Sequence, residues 1–272
     1  MEVRRTTESA EFADAALPFL SRDPVRNTVL LTVLDHERFV RSTDSWFAWA
    51  CDNGDVVGAA LRTPPYNVAL SAMHPNVAAE LGVGDDSPGA VGTRDVVEAF
   101  AGERAFETYM LETQYVLTDL IEPPSVPGAA RRYGPEDALQ YVSWLEAFVA
   151  ETGVTHSPDP LGALERRLRS GGAMWIWERD GESVALAGRS GLICAVPRIG
   201  PVWTPPEHRG NGYAAALTAH ACAEAFSIGA EACTLFADAA NATSNGVYFR
   251  LGFRASGEIA DIRFEASTDD VS

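Results

Sequence analysis

Apolar residues recur at helical spacing over Phe12–Leu20 and Val25–Phe39, after which the period changes to that of strands. Trp46–Cys51 and Val56–Leu61 are short runs of strand formers joined by Asp52-Asn53-Gly54-Asp55, a connection of hairpin type. Asn67–Met73 reads as a further strand. A helix (Pro75–Leu81), a Gly/Asp/Pro loop (Gly82–Gly92), a helix (Asp95–Gly102) and strands near Phe106–Leu120 follow. The segment Glu122-Pro123-Pro124-Ser125-Val126-Pro127-Gly128 suits neither a continued helix nor a central strand. It predicts a boundary between a first domain, 1–125, and a second, 126–272.

Beyond that boundary the pattern restarts. A helix over Pro135–Glu151, a loop over Thr152–Pro160 and a helix over Leu161–Ser170 lead to strands at Ala173–Glu178 and Ser183–Ala187 across the Asp180-Gly181 turn, and to another at Arg198–Thr204. The hairpins Trp49–Gly58 and Trp177–Leu186 can be laid side by side, with slight identity but the same order of helix, helix, hairpin, strand. An internal duplication within an α/β protein is the expectation.

Composition narrows the partners. With 46% hydrophobic and 22% charged residues the chain can bury a sizeable core. Its 21 basic residues are all Arg, set against 38 acidic ones for a formal charge of −17. That balance argues against nucleic acid or an anionic membrane as the main partner, because phosphate binding needs a positive face, and it favours a cationic small molecule or peptide amine. Cys51, Cys194, Cys222 and Cys233 lack CxxC spacing, so neither a metal site nor a disulfide framework is expected. The first residues lack the apolar stretch of a signal peptide, and no run nears the roughly 18 apolar residues of a membrane span. A cytoplasmic protein, monomer or homodimer, is expected.

Chemistry concentrates in Val202-Trp203-Thr204-Pro205-Pro206-Glu207-His208-Arg209-Gly210-Asn211-Gly212-Tyr213-Ala214-Ala215-Ala216-Leu217, where a strand runs through a Gly-rich turn into an Ala-rich helix reaching about Phe226. Two glycines permit a tight turn and leave amides uncovered. The first N–H groups of a helix have no partner within it and, with the helix dipole, suit a phosphate; Arg209 adds a positive charge beside them.

Arg209-Gly210-Asn211-Gly212-Tyr213-Ala214 resembles the R/Q-x-x-G-x-G/A acyl-CoA signature of the GNAT acetyltransferase superfamily. After a strand at Ala232–Ala237, Asn241-Ala242-Thr243-Ser244-Asn245-Gly246-Val247-Tyr248-Phe249-Arg250-Leu251-Gly252-Phe253 resembles that family's second motif, N-x-x-S/A-x-x-x-Y-x-x-x-G-F. The resemblance implies a mixed-sheet GNAT fold, two such domains in tandem, and acetyl-CoA as acyl donor with no metal. The backbone of Val202, Trp203 and Thr204 would pair with the pantetheine arm and polarise the thioester. Amides of Gly210, Asn211, Gly212, Tyr213 and Ala214, with Arg209, would hold the pyrophosphate. Asn241 and Ser244 would contact the pantetheine or phosphate side, and Tyr248 would protonate the departing thiolate, whose thiol has a pKa of about 8.5. The acceptor would be an amine that attacks directly in a ternary complex.

Departures from the pattern matter as much. Many members carry a Glu or Asp on the central strand as general base, yet Arg198–Thr204 contains none; the base is then a water chain or an acid from elsewhere, with Glu151 and His156, flanking the loop that covers the acceptor in this family, as candidates. The first half has His74-Pro75-Asn76-Val77 where the signature would stand, so it reads as a degenerate, structural copy. Tyr248 also has a plainer reading as core, together with Val247 and Leu251 at helical spacing. Two other functions compete: a dinucleotide site, since Gly210-x-Gly212-x-x-Ala215 fits a relaxed Rossmann fingerprint, and a non-catalytic module that senses acyl-CoA or binds a protein.

Overall fold

Two tight turns seed the sheets. Asn53 and Gly54 (φ 51° and 92°), and Asp180 and Gly181 (φ 52° and 81°), adopt the left-handed backbone that a two-residue hairpin requires, which is why Asn, Asp and Gly stand there. The computed structural model describes residues 1–37, 44–82 and 84–265. By contact they divide into unit 1, Met1–Thr113 with the segment from Gly257, and unit 2, Gln114–Ser256. The division falls before the proline cluster. Segment 122–128 belongs to unit 2 and is tied to it: the Trp177 indole donates to the Pro127 carbonyl at 3.0 Å.

Unit 1 runs β1 (Glu2–Thr6), α1 (Ser9–Leu20), α2 (Thr28–Glu37), β2 (Trp46–Asp52), β3 (Asp55–Arg62), β4 (Val68–Leu70), α3 (Pro75–Gly82), β5 (Gly89–Gly92), α4 (Arg94–Ala101) and the start of β6 (Phe106–Leu117). Residues Arg38 and Phe39 of the expected second helix lie outside the described residues. β1 to β4 pair antiparallel in sequence order, and β4 lies parallel to β5. Strand β5 lies inside the stretch expected to be loop. Its Gly-Ala-Val-Gly sequence carries little strand propensity; tertiary contact selects it, since a Cβ at Gly89 would stand 2.1 Å from the Ile262 carbonyl of its neighbour.

Unit 2 repeats the order: β7 (Ala129–Arg132), α5 (Ala138–Thr152), α6 (Pro160–Arg169), β8 (Ala173–Arg179), β9 (Glu182–Arg189), β10 (Ile199–Trp203), α7 (Tyr213–Ser227), β11 (Cys233–Asp238), α8 (Ala242–Arg250) and the start of β12 (Arg254–Phe264). Among the described residues each half therefore reads β-α-α-β-β-β-α-β-α-β. The part of β12 from Gly257 belongs to unit 1, where it pairs with β5, and the last residues of β6, from Gln114, belong to unit 2, where β6 pairs with β11.

The sheet β7-β8-β9-β10 is antiparallel throughout. Alternation along its strands separates two cores. Trp175, Val184 and Ala185 meet the Leu217, Ala221, Cys222 and Ala225 face of α7; Met174, Ile176, Leu186 and Trp203 meet Tyr141 and Trp144 of α5 and Leu164 of α6. The small side chains of α7 let that helix approach closely, so its N-terminus is set firmly at the end of β10.

Candidate functional site

Unit 2 contains a split between two strands. β10 and β11 begin side by side, through a parallel bridge between Arg198 and Thr234 and a 3.0 Å hydrogen bond from the Thr234 amide to the Pro197 carbonyl. They then part: β10 stays with β9, whereas β11 joins β6. A bulge between Ile199 and Val202 turns β10 at this point. Beyond the bridge, β10 is an edge strand whose outward N–H and C=O groups face no strand, an arrangement that accepts an extended guest as an added strand. Val202, Trp203 and Thr204 occupy this end.

Thr204–Gly212 then leads into α7. Gly210 (φ 79°) and Gly212 (φ 83°) both take left-handed backbone, and a Cβ at Gly210 would meet nothing within 4 Å. No side chain caps α7, and the first intrahelical bond is Ala216 N–H to the Gly212 carbonyl, 3.0 Å. Among the described residues, no protein acceptor engages the N–H groups of Gly210, Asn211, Gly212, Tyr213, Ala214 and Ala215. Consecutive unengaged amides at a helix N-terminus form an anion cradle. Asn211 braces the loop instead of reaching outward, donating to the His208 and Arg209 carbonyls at 3.0 and 3.2 Å. Tyr213 is turned inward, its hydroxyl accepting from Arg179 at 2.9 Å.

The structure brings Arg209 and Glu151 together. Arg209 donates through Nη2 to Glu151 Oε2 at 2.8 Å and through Nε to the Thr204 carbonyl at 2.9 Å, with its guanidinium 4.9 Å from the Trp203 ring centroid. A candidate base is thus the ion-pair partner of a candidate phosphate ligand. Both side chains are more than 40% exposed, so the pair contributes at most about 1 kcal/mol and can be exchanged for another anion. His156 lies exposed on the loop between α5 and α6, apart from these contacts.

On α8, Asn241 is the N-cap: its Oδ1 accepts from the Ser244 amide at 3.0 Å. The Asn-x-x-Ser spacing therefore has a folding role whatever else it does. Tyr248 packs against the unit 2 core, 6.2 Å from the Tyr115 ring and 5.8 Å from the Phe253 ring. Burial first, then the neighbouring Cys222 and Tyr115, push its pKa up to about 12, so it carries its proton throughout the neutral range. Both readings of Tyr248, core packing and proton-bearing site group, meet in one side chain.

Two residues here escaped the sequence reading. Val126 stands 3.1 Å from where a Cβ of Gly212 would be, and Arg167 of α6 donates to the Gly200 carbonyl within the β10 bulge. Neither carries a local signal, because each meets the site only through the fold.

The antiparallel β9–β10 pair disagrees with the parallel sheet of a dinucleotide-binding fold. Residues 141–253 match the family described as Acetyltransferase (GNAT) family. No curated protein matches the sequence. Among solved structures, a Drosophila protein superposes with a TM-score of 0.68 at 17% identity, over 97% of this chain and 98% of its own. A tandem GNAT protein from the clavulanic acid biosynthesis pathway gives 0.62 at 15% identity, covering 98% and 100% of the two chains. A GCN5-related N-acetyltransferase from Kribbella flavida gives 0.57 at 17%, covering 95% and 96%. At these identities the likeness is one of fold. Among the described residues no helix is long and apolar enough to cross a membrane.

Proposed function

We propose, from the match of residues 141–253 to the GNAT acetyltransferase family, that unit 2 transfers an acyl group, by preference acetyl, from coenzyme A to an amine. The observation that carries this reading is the run of unengaged amides from Gly210 to Ala215, standing at the end of an edge strand that has parted from its neighbour. The first suits a diphosphate and the second an extended amide-bearing arm, and coenzyme A has both in that order.

The donor supplies a thioester; the chain supplies placement. Outward amides of the Val202–Thr204 end would polarise the thioester carbonyl. Arg209 would leave Glu151 for the diphosphate, so donor binding would release a carboxylate near the acceptor. The amine nitrogen bonds to the acyl carbon, the C–S bond breaks, and its electron pair goes to sulfur. The amine's surplus proton passes to a base, for which Glu151 and His156 are the candidates. Tyr248 acts as a hydrogen-bond donor to the leaving sulfur. Full transfer from a phenol raised to about 12 to a thiolate of pKa about 8.5 would cost about 5 kcal/mol, so the proton stays on oxygen.

Calorimetric titration with acetyl-CoA, followed by a thiol-release assay across a panel of amines, tests the proposal. Saturable binding and amine-dependent thiol release are expected. Indifference to coenzyme A at millimolar concentration would sink it, and binding without turnover would leave an acyl-CoA sensor.

A further inference from the structure

Arg167 differs from the other arginines around the unit 2 sheet in what surrounds it. Arg131 is paired with Asp137 and Glu178, Arg132 and Arg189 with Glu224, and Arg209 with Glu151. Arg167 has no carboxylate partner among the described residues; its guanidinium donates to the Gly200 carbonyl and has the Tyr141 hydroxyl as an electrostatic neighbour. Desolvation lowers its pKa, yet the residue keeps part of its surface accessible. The side chain is thus largely surrounded by protein while part of it still meets solvent. An enclosed guanidinium with most of its five N–H donors unused is expensive to keep without an anion, and in a chain with 38 acidic residues a carboxylate partner was readily available.

Its position says what the anion belongs to. Gly200 lies in the β10 bulge, next to the strand end assigned to the thioester. Leu164, one turn earlier on α6, packs with Trp203 and Tyr141 on the face of β10 opposite α7. On that face the Trp203 indole nitrogen is buried without a hydrogen-bond partner, the residue being only 6% exposed. Along β10, the Arg167 guanidinium at Gly200 and the Trp203 indole nitrogen on the face away from α7 therefore both hold N–H donors that no protein acceptor takes.

We infer that Arg167 binds a carboxylate of the acceptor, with the Trp203 indole as a second donor, so that the acceptor is a small amine that also bears a carboxylate, as an amino acid does. This rests on the acyl-transfer reading above. It also reconciles the acidic surface with an anionic group: the ammonium is drawn by the net charge, and the carboxylate is met by one buried cation.

The test uses the full chain and amines in matched pairs, each amino acid against its amide and its decarboxylated analogue, with acetyl-CoA affinity measured in parallel. The wild type is expected to favour the carboxylate member by about tenfold or more in kcat/KM, since a buried donor left unpaired discriminates strongly. Arg167→Gln should bring the carboxylate-bearing amines down to the level of their neutral partners, mainly through KM, while acetyl-CoA binds as before; Arg167→Lys should restore part of the preference. A wild type indifferent to the carboxylate, or a preference that survives in Arg167→Gln, overturns the inference and leaves the transfer reading intact. If no amine is acylated at all, both fall. Should Arg167→Gln fail to fold, the wild-type preference decides alone, supported by competitive inhibition from N-acetyl amino acids and overturned by equal inhibition from their amides.

Discussion

The two units share an order of elements and differ at one junction. In unit 2, β10 reaches α7 through Thr204–Gly212, two left-handed glycines, and amides that the protein leaves unengaged. In unit 1, β4 reaches α3 through Ser71–His74 alone, and the protein engages several of its own amides there. The Ala72 N–H donates to Asn27 Oδ1 at 2.8 Å, the Asn76 N–H to His74 Nδ1 at 3.2 Å, and Ser71 Oγ accepts from the Ala59 amide at 3.0 Å. The neighbouring strands differ in the same sense. β4 and β5 are zipped as a parallel pair at Val68–Ala90 and Ala69–Val91, whereas β10 and β11 part beyond a single bridge. One architecture can thus be a binding site or a closed support, according to whether its backbone donors are left over or used up.

That contrast can be broken most directly by counting ligands. Titration with acetyl-CoA should saturate at one molecule per chain, and a second site of similar affinity would mean that the zipped strands of unit 1 open. Next in size, Arg209→Glu should weaken acetyl-CoA by roughly 100-fold, because it replaces a cation by an anion beside a diphosphate; affinity within twofold of wild type would remove Arg209 from the cradle.

Tyr248→Phe should lower turnover by about tenfold while leaving acetyl-CoA affinity within twofold, measured by thiol release and calorimetry. The same variant reports on stability. A folded pKa of about 12 against an unfolded value of about 10 means that the folded state keeps a proton which the unfolded state has lost. The wild type should therefore lose about 2–3 kcal/mol as pH rises from 10 to 12, and the variant correspondingly less, in urea denaturation at each pH. Smallest of all, Glu151→Gln should tighten acetyl-CoA by about two- to fivefold, since only an exposed ion pair competes for Arg209. If turnover falls in Glu151→Gln and holds in His156→Asn, the base is Glu151; the reverse pattern assigns it to His156.

Much of this was legible in the chain. The paired hairpins announce themselves through Asn53-Gly54 and Asp180-Gly181, and the α7 loop through Arg209-Gly210-Asn211-Gly212, because turn chemistry is local. β5 was not legible, since Gly89-Ala90-Val91-Gly92 becomes a strand only by lying between β4 and β12. Nor was the fate of segment 122–128: prolines signal an interruption, and nothing local says that Val126 and Pro127 pack within unit 2. The pairing of Glu151 with Arg209 has no local signal either, as the ion pair joins residues far apart in sequence.

By itself, the sequence determined the turns, the helix faces, the order of elements and the glycines that allow a backbone to present its amides. All of these depend on the conformational preferences of a few adjacent residues. Only the tertiary structure decided which strands pair and which part, that Glu151 holds Arg209, and that Arg167 lies enclosed without a carboxylate. Those outcomes depend on which polar groups find partners once distant segments meet, and no local preference encodes that.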